Sequence, residues 1–107
     1  WVEFDPQSGK EQAGLRPALT LSPKIYNQKT GLGLFCPITT AIKGYPFETI
    51  LPNTCTIRGA ILADHLKNMD WRSRKAKYIS KIDDYILDEV IKKVAVLVGI
   101  KPSSSPF

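Results

Sequence analysis

Arg16 stands in the run Glu11-Gln12-Ala13-Gly14-Leu15-Arg16-Pro17-Ala18, a permanent cation between a glycine and a proline, where a polar loop gives way to an apolar stretch. Gly14 admits backbone angles closed to other residues and Pro17 pushes Arg16 toward an extended conformation, so the guanidinium is aimed rather than free. An aimed guanidinium can grip phosphate oxygens in pairs, while the plain alternative is a hairpin turn carrying a surface arginine. A second constellation is basic: residues 66–81 hold six Lys or Arg side chains, one acid (Asp70) and two aromatics, Trp71 and Tyr78. Cations supply phosphate affinity and aromatics stack bases, a composition that suits RNA or single-stranded DNA, although a solvated cationic face has the same look. The formal net charge of +5, from fifteen basic and ten acidic residues, likewise favours an anionic partner. Cys36 and Cys55 form no C-x-x-C pair, and His65, the one histidine, has no sequence link to either. Two reduced, partly buried thiols and no metal site are expected from them.

The elements that must position these residues follow from patterning. A chain of 107 residues, 43% hydrophobic and 23% charged, suffices for one small globular domain, expected over residues 1–100, with a Pro/Ser-rich disordered tail at 101–107. No apolar run is long enough to cross a bilayer and no signal-peptide pattern opens the chain, so the cytoplasm is the expected compartment. The chain begins at Trp1 in what already reads as a strand, and part of the natural N-terminus is expected to precede it. Strands are predicted near 1–5, 17–22, 32–38, 46–51 and 58–65, with a helical turn at 24–30 and an exposed turn at Lys43-Gly44-Tyr45-Pro46. The polar connection from Asp5 to Leu15 is long for a hairpin, as functional loops often are. After Ile79 the period becomes helical through Ile82, Tyr85 or Ile86, Val90, Val94 and Leu97, with Ser80 and Asp83 spaced as a capping box. Asp83 and Asp84 in the first turn and Lys92 and Lys93 toward the end suit the helix dipole. The stretch from Val94 to Ile100 is more apolar than one buried stripe requires, so part of it is expected to cover a partner. The fold class is mainly β (α+β): a small antiparallel β-barrel, closed or half-closed, with a C-terminal helix.

Trp1-Val-Glu-Phe-Asp-Pro6, Glu11-Gln-Ala-Gly14, Arg16-Pro17-Ala18, Leu21-Ser22-Pro23, Tyr26-Asn27, Lys29-Thr30-Gly31, Pro37-Ile-Thr39-Thr40, Lys43-Gly-Tyr-Pro-Phe47, Ala63-Asp64 and Asp70-Trp-Arg-Ser-Arg74 occur in one order, and together they resemble the MazF/PemK family of toxin endoribonucleases. The resemblance spans residues 1 to about 98. It implies a homodimeric SH3-like barrel of the CcdB/Kid/MazF-like toxin fold that cuts single-stranded RNA at a short sequence without metal or other cofactor. It further implies neutralisation by an acidic, MazE-like antitoxin. Carried onto this chain, Arg16 and Thr39 look like the catalytic pair, with Glu11 and Lys43 as supporting site residues. The loop from about Glu3 to Gln12 looks like the mobile segment that shapes the RNA groove, with Phe4 at its base. Phe4, Lys43, His65, Lys67, Trp71, Arg72 and Arg74 are the expected RNA contacts. Two departures stand out: His65, where the family commonly has glutamine, and the stretch Ile50–Ile57, and both bear on which bases are read.

Metal-free RNA cleavage needs a base for the 2′-OH, stabilisation of the phosphorane and a proton for the departing 5′-oxygen. The products are a 2′,3′-cyclic phosphate and a 5′-OH. Arg16 suits phosphorane stabilisation first and proton donation second, since a guanidinium with so high a pKa is a poor base. Thr39 offers a hydroxyl donor on a stiff β-branched side chain. Glu11 is a candidate base if its loop brings it to the 2′-OH, and water and His65 are the alternatives. Lys43 would bind backbone phosphate and add affinity more than rate. Trp71 either stacks a base or lies under the C-terminal helix. Two other functions fit less of the chain: a barrel toxin that binds a protein such as DNA gyrase, and a non-catalytic RNA-binding module.

Overall fold

The computed structural model describes residues 2–4, 16–55 and 57–100. Along the chain run β1 (Val2–Phe4), β2 (Arg16–Thr20), α1 (Lys24–Thr30), β3 (Leu32–Thr39), β4 (Glu48–Ile50) and β5 (Ala60–Leu62). A 3-10 turn (Ala63–His65), β6 (Lys67–Asp70), β7 (Lys77–Tyr78) and α2 (Asp84–Leu97) complete the order. All strand pairings are antiparallel, and the path β4-β5-β3-β2-β1-β7 carries β6 as a further partner of β3. The expected mainly β architecture with a C-terminal helix is what forms. The whole connection from Asp5 to Leu15, Glu11 with it, and the tail 101–107 lie outside the described residues.

β3 organises the sheet because its two faces are both apolar. One face sends Cys36 and Ile38 into a core with Leu19 of β2, Ile61 of β5, and Ile82, Ile86 and Val90 of the C-terminal segment. The other face sends Phe35 against Ala18 of β2, with Met69, Trp71 and Ala76 packed around them. Each fully buried aliphatic side chain of this kind contributes about 1.5–3 kcal/mol, so these two layers are what hold β3 in place. Gly33 is needed between them: a Cβ there would stand 2.8 Å from the Phe35 ring.

On its second edge β3 pairs first with β5, Thr39 opposite Ala60, and then with β6, Phe35 opposite Lys67. Between these two ladders the register slips by three residues, and Ala63–His65 absorb the slip as the 3-10 turn. The stretch expected as one strand over 58–65 is therefore broken. Its last residues, Asp64 and His65, are thrown out of the sheet plane. The strands β6 and β7 were not expected from the sequence, since Lys67–Asp70 is mostly exposed and carries no apolar alternation.

The C-terminal helix starts later than the Ser80 capping box predicts. Ile82 is buried while its backbone is still non-helical, and Asp83, in extended backbone at φ −63 and ψ 141, is the N-cap. No basic residue lies in the last turn. Lys93, placed toward the helix end for its dipole, instead gives its ammonium to the backbone carbonyl of Glu48 at 2.7 Å and to Thr49 Oγ1 at 3.1 Å. Val96, Leu97, Val98 and Ile100 are exposed, in keeping with an apolar surface left over beyond the buried stripe.

Candidate RNA-cleaving groove

Ala18 stands opposite Pro37 and Thr20 opposite Phe35; the same register carried toward the other end of β2 sets Arg16 level with Thr39. Alternation along a strand keeps Arg16, Ala18 and Thr20 on one face and Phe35, Pro37 and Thr39 on the same face of the neighbouring strand. Phe4 of β1 pairs with Arg16 on its outer side, so residues 4, 16 and 39 form one row across three strands. The sequence placed a loop-to-strand junction at Arg16, and the structure makes Arg16 the first residue of β2, with its side chain exposed.

On this face lies a groove of about 370 Å³ lined by Arg16, Pro17, Ala18, Phe35, Pro37, His65, Lys67, Asn68, Met69 and Arg74. Its floor is apolar, and among the described residues its charged lining groups are Arg16, Lys67 and Arg74, with no carboxylate. Such a groove attracts a polyanion and raises its local concentration. His65 enters from the 3-10 turn; its Nε2 lies 3.9 Å from Asp64 Oδ1, and that same oxygen accepts the Tyr45 hydroxyl at 2.9 Å. The hydrogen bond to Asp64 raises the Tyr45 phenol above its ordinary range.

Thr39 Oγ1 accepts the Ala41 N–H at 3.0 Å, which fixes the hydroxyl oxygen and leaves its proton to donate elsewhere. The chain then bends away into the exposed segment 40–46, and Lys43 sits there, not among the residues that line the groove. Glu48, which the sequence reading passed over as an ordinary strand position, is buried and accepts the Lys43 and Gly44 N–H groups. A carboxylate just after an exposed Gly-Tyr-Pro turn was the signal that could have found it.

Trp71 and Arg72 belong to a different part of the face. The Trp71 indole N–H donates to Asn27 O at 3.1 Å, and its ring packs against the Ala18–Phe35 layer, not under the C-terminal helix. The Arg72 guanidinium lies 5.1 Å from the Trp71 ring centroid and donates to the backbone carbonyl of Gln28. Both therefore satisfy carbonyls at the C-terminal end of α1, a structural use of two residues expected to contact RNA. Cys36 is fully buried, and burial, with the nearby Asp64 charge as a lesser cause, pushes its thiol up to about 12. That removes the thiolate a nucleophile would need.

A cationic, apolar-floored groove on an antiparallel sheet with a C-terminal helix defines a small mainly β protein with a face suited to a polyanion. The sequence pattern of the family described as "PemK-like, MazF-like toxin of type II toxin-antitoxin system" matches residues 1–98, and the chain belongs to that family. It is 46% identical over 99 residues to the endoribonuclease toxin MazF of Escherichia coli K12, covering 92% of this chain and 88% of that protein. It is 34% identical over 102 residues to the endoribonuclease toxin ChpB of the same organism, covering 91% and 87%. Among solved structures it resembles a chain in the MazE-MazF crystal structure (Form-II) from Deinococcus radiodurans, with a TM-score of 0.84 and 42% identity over 94% of this chain and 91% of that one. Among the described residues no helix is long and apolar enough to cross a membrane.

Proposed function

We propose that this chain is the endoribonuclease toxin of a type II toxin-antitoxin pair, and that it cuts single-stranded RNA in the groove headed by Arg16. The observation that carries the reading is a groove lined by Arg16, Lys67 and Arg74, its charged groups among the described residues, with Thr39 level with Arg16 when the β2–β3 register is carried two residues past Ala18 and Pro37. The 2′-oxygen attacks the adjacent phosphorus, the bond to the 5′-oxygen breaks, and a 2′,3′-cyclic phosphate and a 5′-OH result. The Arg16 guanidinium pairs with the non-bridging oxygens as negative charge builds on them, and the Thr39 hydroxyl donates a further hydrogen bond. With charge stabilised in this way the reaction needs no metal. His65 shares the groove with Arg16 and is one candidate for the base, with water and Glu11 as the others.

Two partners accompany this reading. The exposed apolar residues at the end of α2 supply area for a homodimer, and the basic groove is complementary to an acidic antitoxin segment. The compartment consistent with an RNA target is the cytoplasm. The test is incubation of the purified protein with a long mixed-sequence RNA in EDTA, followed by sequencing of the fragment ends. Discrete fragments with cyclic-phosphate termini at a common short sequence are expected. RNA that is bound but left intact would overturn the nuclease assignment.

A further inference from the structure

We infer that Glu48 is a positioning residue for RNA binding, a buried anion around which the Lys43-Gly44 turn is wound so that the Lys43 ammonium is presented to substrate phosphate. The inference rests on the endoribonuclease reading for its substrate and on geometry for its mechanism. Glu48 is only 7% exposed, and its carboxylate accepts the Lys43 N–H at 3.0 Å through Oε2 and the Gly44 N–H at 2.7 Å through Oε1. Two successive backbone N–H groups converging on one anion form a nest, an arrangement proteins use to hold anionic ligands; here the anion is the protein's own. The residue is itself held from behind. Its N–H donates to Tyr45 O at 3.1 Å, its carbonyl accepts Lys93 Nζ of α2 at 2.7 Å, and its strand pairs with β5 at Leu62.

The consequence for binding is entropic. Lys43 lies in an exposed segment between Thr39 and β4 that lacks a strand or helix of its own. Such a segment would ordinarily have to be ordered when substrate binds, and that cost subtracts from affinity. With its backbone already fixed on Glu48, Lys43 loses only side-chain freedom on meeting a phosphate. The Lys43 charge contributes equally to ground and transition states, because a flanking phosphate does not change during the reaction. The effect therefore belongs in KM and not in kcat.

The experiment compares wild type, Glu48→Ala, Glu48→Gln, Lys43→Ala and the Glu48→Ala/Lys43→Ala double variant on a short single-stranded RNA carrying one site mapped with the wild type. Glu48→Ala is expected to raise KM about tenfold with kcat nearly unchanged, and Glu48→Gln, which keeps one acceptor, is expected to recover much of that loss. In the double variant KM should match Lys43→Ala alone. Additive effects, or an equal fall in kcat, would overturn the positioning role, since a merely structural residue lowers the active fraction and leaves KM alone. Hydrogen exchange on the wild type decides the same point without any variant: the Lys43 and Gly44 amides should be protected, and exchange at free-loop rates would refute the nest. Wild-type protein that fails to cut RNA would overturn the nuclease reading and the substrate half of this one, whereas cutting with an unchanged KM in Glu48→Ala would overturn the positioning role alone.

Discussion

Gly59 and Thr39 touch so closely that a Cβ on Gly59 would stand 2.2 Å from the Thr39 carbonyl oxygen. Gly59 also has φ +125, a backbone conformation that L side chains rarely adopt. It is the residue that lets the chain entering β5 come up against β3, and it does so at the Thr39 carbonyl. Gly59→Ala is therefore expected to destabilise the fold by about 2 kcal/mol or more, with the loss centred on the Thr39 end of β3. Urea unfolding measures it, and a variant within half a kcal/mol of wild type would contradict the contact.

How far this site could be read from the sequence depended on which physical signal each residue left. Arg16 and Thr39 stood out in the sequence because a loop-to-strand junction and a β-branched pair sit inside family-like motifs, and the β2–β3 register, carried two residues past Ala18 and Pro37, sets them level. The strands β6 and β7 were not legible. Lys67–Asp70 is polar on nearly every position because it rims an open groove, and its pairing comes from the edge of β3 that β5 does not reach rather than from its own side chains. The three-residue slip that ejects His65 is likewise a property of two ladders meeting, which no local pattern announces. Trp71 and Arg72 have the composition of an RNA contact, yet their donors close the end of α1, forty-four residues away along the chain in both hydrogen bonds.

The thiols separate by burial. Cys36, with its pKa pushed to about 12 from an ordinary 9.0, should resist a disulfide reagent at pH 8 until the protein unfolds, while half-buried Cys55 reacts first. Because the folded state holds the Cys36 proton more tightly than the unfolded chain does, its contribution to stability is intact below pH 9 and declines from there toward 12. A thiol count in native and denatured protein checks this, and rapid labelling of both cysteines in the native state would contradict it.

Two cations from one basic run should behave differently. Lys67 is exposed and lines the groove, so Lys67→Ala should weaken RNA binding uniformly and lower the slope of log K against log salt by about one. Arg72 is spent on Gln28 O and the Trp71 ring, so Arg72→Ala should cost about 1 kcal/mol of stability and leave that slope unchanged. Binding titrations on a catalytically silenced background, at several salt concentrations, would distinguish them, and equal slopes for both variants would defeat the distinction.

The role of Arg16 is best tested by what a lysine cannot do. Arg16 is exposed at the head of β2, with its strand held by Ala18 and Leu19, so neither Arg16→Ala nor Arg16→Lys should change circular dichroism or melting by more than a surface substitution does. If Arg16 merely supplied positive charge to the groove, Arg16→Lys would retain most of the cleavage rate. A phosphorane instead presents two equatorial oxygens that a planar guanidinium meets with parallel N–H bonds and that a point-charge ammonium meets with one. Arg16→Lys is therefore expected to lose about a hundredfold or more in kcat while binding RNA nearly as well as wild type, and Arg16→Ala to lose cleavage altogether. Single-turnover rates on the mapped RNA site measure the step directly. A lysine variant that cleaves at the wild-type rate would reduce Arg16 to an affinity residue and move the phosphorane stabiliser elsewhere in the groove.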